Sequence, residues 1–109
     1  MRYALALDLK DNAALIAEYE RQHREIWPEV RKHLRDAHVE GMTIWRLGTR
    51  LFMLMQTGQH FSFEHMAALA ASNDRIQAWE TLMWRFQAPT PWTPVGVKWV
   101  PMAQIFDLQ

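Results

Sequence analysis

His23 stands alone among apolar residues on one face of a helix. Leu15, Tyr19, His23, Ile26, Val30 and Leu34 follow one another at steps of four, four, three, four and four, which places them in one stripe. An imidazole aimed at a core titrates near neutrality and is easily moved by its surroundings, so it is suited to proton transfer. The same placement suits a core histidine that simply bonds a carbonyl. Tyr19, one turn earlier, shares its face. Glu80 is a second residue of interest. It adjoins Trp79 beside a stripe of Ile76, Trp79, Met83 and Phe86, and from there its carboxylate either reaches a pocket or faces solvent. The carboxylates Glu18, Glu20, Glu25, Glu29, Asp36 and Glu40 mostly alternate with arginine and lysine and read as a solvated face.

What these residues exclude is also informative. The histidines His23, His33, His38, His60 and His65 show no i, i+4 pairing, and the chain has no cysteine, so no metal site is expected. None of the four glycines belongs to a phosphate-binding loop. No Gly-x-Ser-x-Gly elbow supports triad hydrolysis. An enzyme built from histidine, tyrosine and tryptophan, with no cofactor, is confined to easy chemistry, and moving protons on a sugar is of that kind. Six tryptophans and seven methionines serve either a ring-rich core or a surface that stacks on sugars and flat ligands.

The elements that must position these groups follow from periodicity. Residues 2–9 alternate as a strand, and Asp11 or Asn12 can cap the helix that carries His23. Pro28 disfavours helical geometry at Trp27, so a kink or break is expected there, with Pro28 restarting the helix. Residues 42–47 and 51–56 are apolar runs joined at Gly48-Thr49, a hairpin. Residues 61–71 are helical in pattern, Ser72-Asn73-Asp74 offers a fresh cap, and the Trp79 stripe forms the next helix up to Pro89. A proline-rich connector with Trp92 spans 88–96. A closing strand is expected over 102–108, with Pro101 at its start. The order is the ferredoxin-like α+β plan, βαββαβ, with an antiparallel sheet and helices on one face. One domain, 1–109, accounts for the whole length.

Both faces of the hairpin strands are apolar. Met42 and Ile44 oppose Trp45 and Leu47, and Phe52 and Leu54 oppose Leu51, Met53 and Met55. Helices cover one face, so the other needs a cover, and a second copy of the sheet supplies it: a homodimer is expected. A ligand cavity lined by these residues is the competing explanation. Half the residues are hydrophobic and the twelve acidic side chains balance the twelve basic ones. That composition gives no electrostatic case for nucleic acid or a membrane surface. With no cysteine and no membrane-length apolar run, a cytoplasmic protein is the expectation.

The segment Tyr19-Glu20-Arg21-Gln22-His23-Arg24-Glu25-Ile26-Trp27-Pro28-Glu29-Val30 resembles the signature of the L-rhamnose mutarotases, Tyr-x-x-x-His-x-x-x-Trp-Pro-Glu, at all five fixed positions. The resemblance spans the chain and includes Ile44-Trp45, Leu51-Phe52 and the Trp79 helix. It implies dimers of ferredoxin-like subunits forming a dimeric α/β barrel, each subunit with its own pocket. It also implies cofactor-free interconversion of the α and β anomers of a deoxysugar. By resemblance, His23 transfers protons, Tyr19 contacts the sugar and Trp79 lines the pocket, with Trp45 or Trp92 as a further stacking surface. Two sugar-contacting positions depart from the family: Glu80 stands where a second tryptophan is usual, and Met42 where a tyrosine is usual. The chain is similar to a branch of L-fucose mutarotases, so L-fucose and L-rhamnose are the expected substrates. A cofactor-less oxygenase on the same dimeric plan, or a non-catalytic sugar-sensing module, would share the fold.

Overall fold

The computed structural model describes all 109 residues, Met1–Gln109. Strand β1 (Arg2–Leu9) buries Leu5, Leu7 and Leu9 on one side. Helix α1 (Ala13–Arg24) starts where Asn12 Oδ1 accepts the Leu15 N–H at 3.0 Å, satisfying one of the unpaired donors of the first turn. The helix breaks at the expected place. Trp27 is extended, with φ −63° and ψ 135°, and α2 (Pro28–Asp36) begins on the proline. Proline's ring crowds the residue before it out of helical geometry, while its missing N–H costs nothing in a first turn. Strands β2 (Val39–Leu47) and β3 (Arg50–Thr57) form the hairpin, turning at Gly48 with φ 59°. Helix α3 (Phe63–Ala71) begins two residues later than the pattern predicts, because Ser62 Oγ accepts the His65 N–H and fixes the cap there. Helix α4 (Asp74–Trp84) is capped by Asn73, whose Oδ1 accepts from Arg75 and Ile76.

The sheet is antiparallel with order β2-β3-β1-β4, where β4 is Gln87–Ala88. A fifth strand, β5 (Val100–Pro101), also pairs with β1. This is the ferredoxin-like order, with each of the two helical connections broken in two and the last strand split. Strand β4 pairs with Asp8 and Leu9, and β5 with Leu5 and Ala6, so the two share one edge of β1.

The expected strand over 102–108 is not formed. The chain is in register with β1 only as far as Pro101, and the Met102 N–H still bonds the Ala4 carbonyl at 2.7 Å. Beyond that point little of β1 remains to pair with, and Ile105, Phe106 and Leu108 are exposed. Pro101 therefore ends the strand instead of starting it. Ala88, expected in the proline-rich connector, belongs to β4.

The helices cover one face of the sheet. Leu9, Tyr19, Val30, Leu51, Ile76, Trp79, Met83 and Phe86 form the larger buried cluster. Leu5, Val39, Met53 and Met55 form the smaller one, with Met42 packed against it. The opposite face carries Ala4 and Ala6 beside Leu54 and Phe52, with Thr43 and Trp45 paired to Leu54 and Phe52 in turn. Trp45 is 51% exposed there and stacks on Phe52 at 5.5 Å.

Candidate active site

The last two turns of α1 bring Tyr19 and His23 together. Residues four apart on a helix overlie one another, and the two rings lie 4.3 Å apart between centroids. His23 Nδ1 bonds the Tyr19 carbonyl oxygen at 2.8 Å. A carbonyl can only accept, so the hydrogen is on Nδ1 and the neutral ring keeps its lone pair on Nε2. Burial holds the His23 pKa below the ordinary histidine value, and the bond to the Tyr19 carbonyl works the other way. The imidazole at rest is a neutral base whose free nitrogen is Nε2.

Tyr19 is 3% exposed. Burial pushes its phenol up to about 12, a Gln87 hydrogen bond lowers it and the Glu80 charge raises it, so the hydroxyl stays protonated and can donate. Phe86 meets the Tyr19 ring edge-on at 6.0 Å. Trp79, buried on α4, lies 5.6 Å from His23 in an edge-to-face arrangement, and Trp27 lies 5.2 Å from Trp79. The Trp27 ring sits there because the Pro28 break turns it away from the α1 stripe. Arg75 packs over the same Trp27 ring, its guanidinium 4.1 Å from the ring centre and 3.6 Å from Glu29. Two of the three residues in the Trp27-Pro28-Glu29 run thus converge on one arginine of α4.

Glu80 is half-buried and tied down. The Lys98 ammonium donates to Glu80 Oε2 at 2.7 Å and to the Glu80 carbonyl oxygen at 3.0 Å, and lies 4.6 Å from the centre of the Trp84 ring. This clamp fixes the loop that precedes β5 onto α4. Glu80 also acts on His33, whose pKa burial lowers while Glu80 and Asp36 raise it.

The structure brings together His23, Tyr19 and Trp79, with Glu80 next to Trp79. It does not bring Met42 or Trp45 into that group. Met42 packs on the smaller cluster, and Trp45 lies on the face of the sheet that no helix covers. Trp92 is exposed, with the Arg50 guanidinium 5.4 Å from its ring. His38 lies 5.9 Å from His60 and 6.3 Å from His65 between ring centres, but no group of three or more His, Cys, Asp or Glu side chains is arranged to hold a metal ion. Gln87, Arg75 and Lys98 were missed by sequence reasoning. Gln87 follows Phe86 at the end of a helical stripe, where period alone gives a polar residue no direction. Lys98 lies in a segment without periodicity. Arg75 is an ordinary charged residue of a helix's first turn.

The family model for L-rhamnose mutarotase matches residues 2–108. An L-fucose mutarotase of Xanthomonas campestris pv. campestris is 49% identical over 109 residues, covering 98% of this chain and 87% of that relative. A UPF0734 protein of Dictyostelium discoideum is 34% identical over 113 residues, covering 97% and 88%. The crystal structure of an L-rhamnose mutarotase from Formosa agariphila superposes with a TM-score of 0.72 at 20% identity, covering 100% of this chain and 99% of that one.

Proposed function

The chain belongs to the L-rhamnose mutarotase family, and from that premise we propose that it interconverts the α and β anomers of a 6-deoxyhexose, L-fucose in preference to L-rhamnose. The preference is supported by the 49% identity to an L-fucose mutarotase. The observation that carries the chemistry is the fixed tautomer of His23, which presents a neutral Nε2 beside a protonated Tyr19. Mutarotation opens the hemiacetal, lets the aldehyde turn about the C1–C2 bond and closes it again. His23 Nε2 takes the proton of the anomeric hydroxyl as the bond from C1 to the ring oxygen breaks. Tyr19 gives its proton to the ring oxygen. Closure returns both protons. Trp79, with Trp27 against it, offers a ring surface for the apolar face of the pyranose and its methyl group. Glu80, held by Lys98 through Oε2, accepts from a sugar hydroxyl.

The working unit in this reading is a homodimer in which two open sheet faces cover one another as a barrel, with Trp45, Phe52 and Leu54 at the seam. The absence of cysteine suits the reducing cytoplasm. No helix is long and apolar enough to cross a membrane.

The test is proton NMR on the anomeric signals of L-fucose and L-rhamnose, run side by side. One anomer is inverted and magnetisation is followed into the other. Faster exchange for L-fucose is the expected result. Exchange with neither sugar would leave the fold standing and refute the activity.

A further inference from the structure

We infer that Gln87 is a sugar-binding residue of this site, accepting a substrate hydroxyl on Oε1 while its Nε2 holds the Tyr19 hydroxyl. The inference rests on the mutarotase reading and adds to it a residue from another element. Gln87 is 4% exposed, deep in the fold, next to Phe86 at 1%. Its Nε2 donates to Tyr19 Oη at 3.5 Å. Its Oε1 is buried and has no hydrogen-bond partner. A carboxamide brings two donors and an acceptor with two lone pairs, and an amide oxygen left unpaired out of water is a standing penalty.

The backbone gives Gln87 no freedom to relieve that penalty. Gln87 pairs with Leu9 in the sheet, and the Phe86 carbonyl accepts the Lys10 N–H at 2.8 Å, so the side chain is held pointing at Tyr19. A leucine or methionine would fill this position between β1 and α1 without the penalty. The missing partner is a donor, and it must approach within reach of an amide that already touches Tyr19, whose ring lies against His23. A polyol bound for acid/base chemistry at His23 and Tyr19 carries such donors on the carbons next to the reacting one.

The contact also orients Tyr19. Because Nε2 donates to Oη, the phenolic hydrogen is directed elsewhere and remains available for the ring oxygen. The same N–H steadies the phenolate as the proton leaves. Atoms balance through the step: Tyr19 loses one proton to the ring oxygen, His23 gains one from the anomeric hydroxyl, and the C1–ring-oxygen bond gives way to a C1 carbonyl.

The experiment compares wild type with Gln87→Leu, and with Gln87→Met as a second apolar variant. Anomer exchange is measured with L-fucose across concentrations, alongside thermal unfolding. The expected result is a Tm unchanged or raised, since an apolar side chain of similar size removes the unpaired amide. KM should rise roughly ten-fold for the lost hydroxyl contact, and kcat should fall as Tyr19 loses its support. A folded variant with wild-type KM and kcat would overturn the inference. A variant that loses activity only in step with a lower Tm, or failure of both variants to fold, would assign Gln87 to the core and overturn it equally. Wild-type protein that exchanges neither sugar would instead refute the mutarotase reading beneath it.

Discussion

Replacing His23 by asparagine separates the chemistry of this residue from its place in the fold. The asparagine Nδ2 occupies nearly the position of the histidine Nδ1, so the 2.8 Å bond to the Tyr19 carbonyl can be kept. What disappears is Nε2, the nitrogen that carries the lone pair. The fold should therefore change little, because a single retained hydrogen bond is worth only about 0.5–1.5 kcal/mol in any case. The rate should change a great deal. General acid/base catalysis contributes roughly a hundred- to ten-thousand-fold, or about 2.7 to 5.4 kcal/mol of barrier at about 1.36 kcal/mol per decade. Inversion transfer between the anomeric protons of L-fucose gives the exchange rate, and circular dichroism gives the Tm. The expected pair is a Tm within a few degrees of wild type and a rate near that of the free sugar. An asparagine variant that still exchanges anomers at the wild-type rate would falsify the assignment of His23 as base.

The remaining predictions concern titration, the open sheet face and one cap. Because burial lowers the His23 pKa, the basic form persists below the ordinary histidine value of 6.5, so exchange should hold through neutrality and fall only on further acidification. The same shift ties stability to pH. Its contribution is complete above about 6.5 and is lost as pH falls through the lowered folded-state value, which acid titration of the Tm in wild type and His23→Asn should separate. Leu54→Arg places a charge in the centre of the uncovered face, between Ala4 and Thr43, and should turn a dimer into a monomer by analytical ultracentrifugation; an unchanged sedimentation coefficient would remove that face from the interface. Asn73→Ala deletes the acceptor for the Arg75 and Ile76 N–H groups and should cost about 0.5–2 kcal/mol by denaturant unfolding, with sugar exchange left intact.

The sequence made some of these arrangements legible and hid others for physical reasons. Period-two and period-3.6 patterns reach directly into local structure, so β1, the hairpin and the Tyr19–His23 stripe could be read, as could the break at Trp27. Caps were readable too, since Asn12 and Asn73 are short acceptors placed just ahead of apolar stripes. The split final strand was not. Gln87 and Ala88 lie between a helix and a proline, with too few residues to show alternation, and their pairing with Asp8 and Leu9 is a long-range event. The tail misled for the opposite reason: Ile105, Phe106 and Leu108 carry a strand-like composition, yet β1 has no free length left opposite them. At the site, His23 was visible because it interrupts a periodic apolar stripe, whereas the roles expected of Tyr19 and Trp79 came from the resemblance to the mutarotase family. Gln87 and Lys98 act through contacts 68 and 18 residues away in sequence, and no local pattern records such contacts.

The position of His23 also answers a demand that the proposed role of base places on its surroundings. At rest the ring must be neutral, and burial against Tyr19 and Trp79 enforces this by disfavouring charge. After taking a proton it must tolerate a positive charge in the same spot. His23 lies in the last turn of α1, which ends at Arg24, where the helix dipole turns its negative end outward. The Tyr19 carbonyl bonded to Nδ1 holds more negative charge against the ring as the imidazolium forms. Both influences act on the charged form, desolvation against it and the carbonyl and helix end in its favour: desolvation is the larger, so the neutral ring waits for substrate, and the carbonyl and helix end limit what the imidazolium costs once it forms. The break at Pro28 completes the surroundings of the ring: a helix continued through residue 36 would have left the Trp27 ring on the stripe instead of against Trp79.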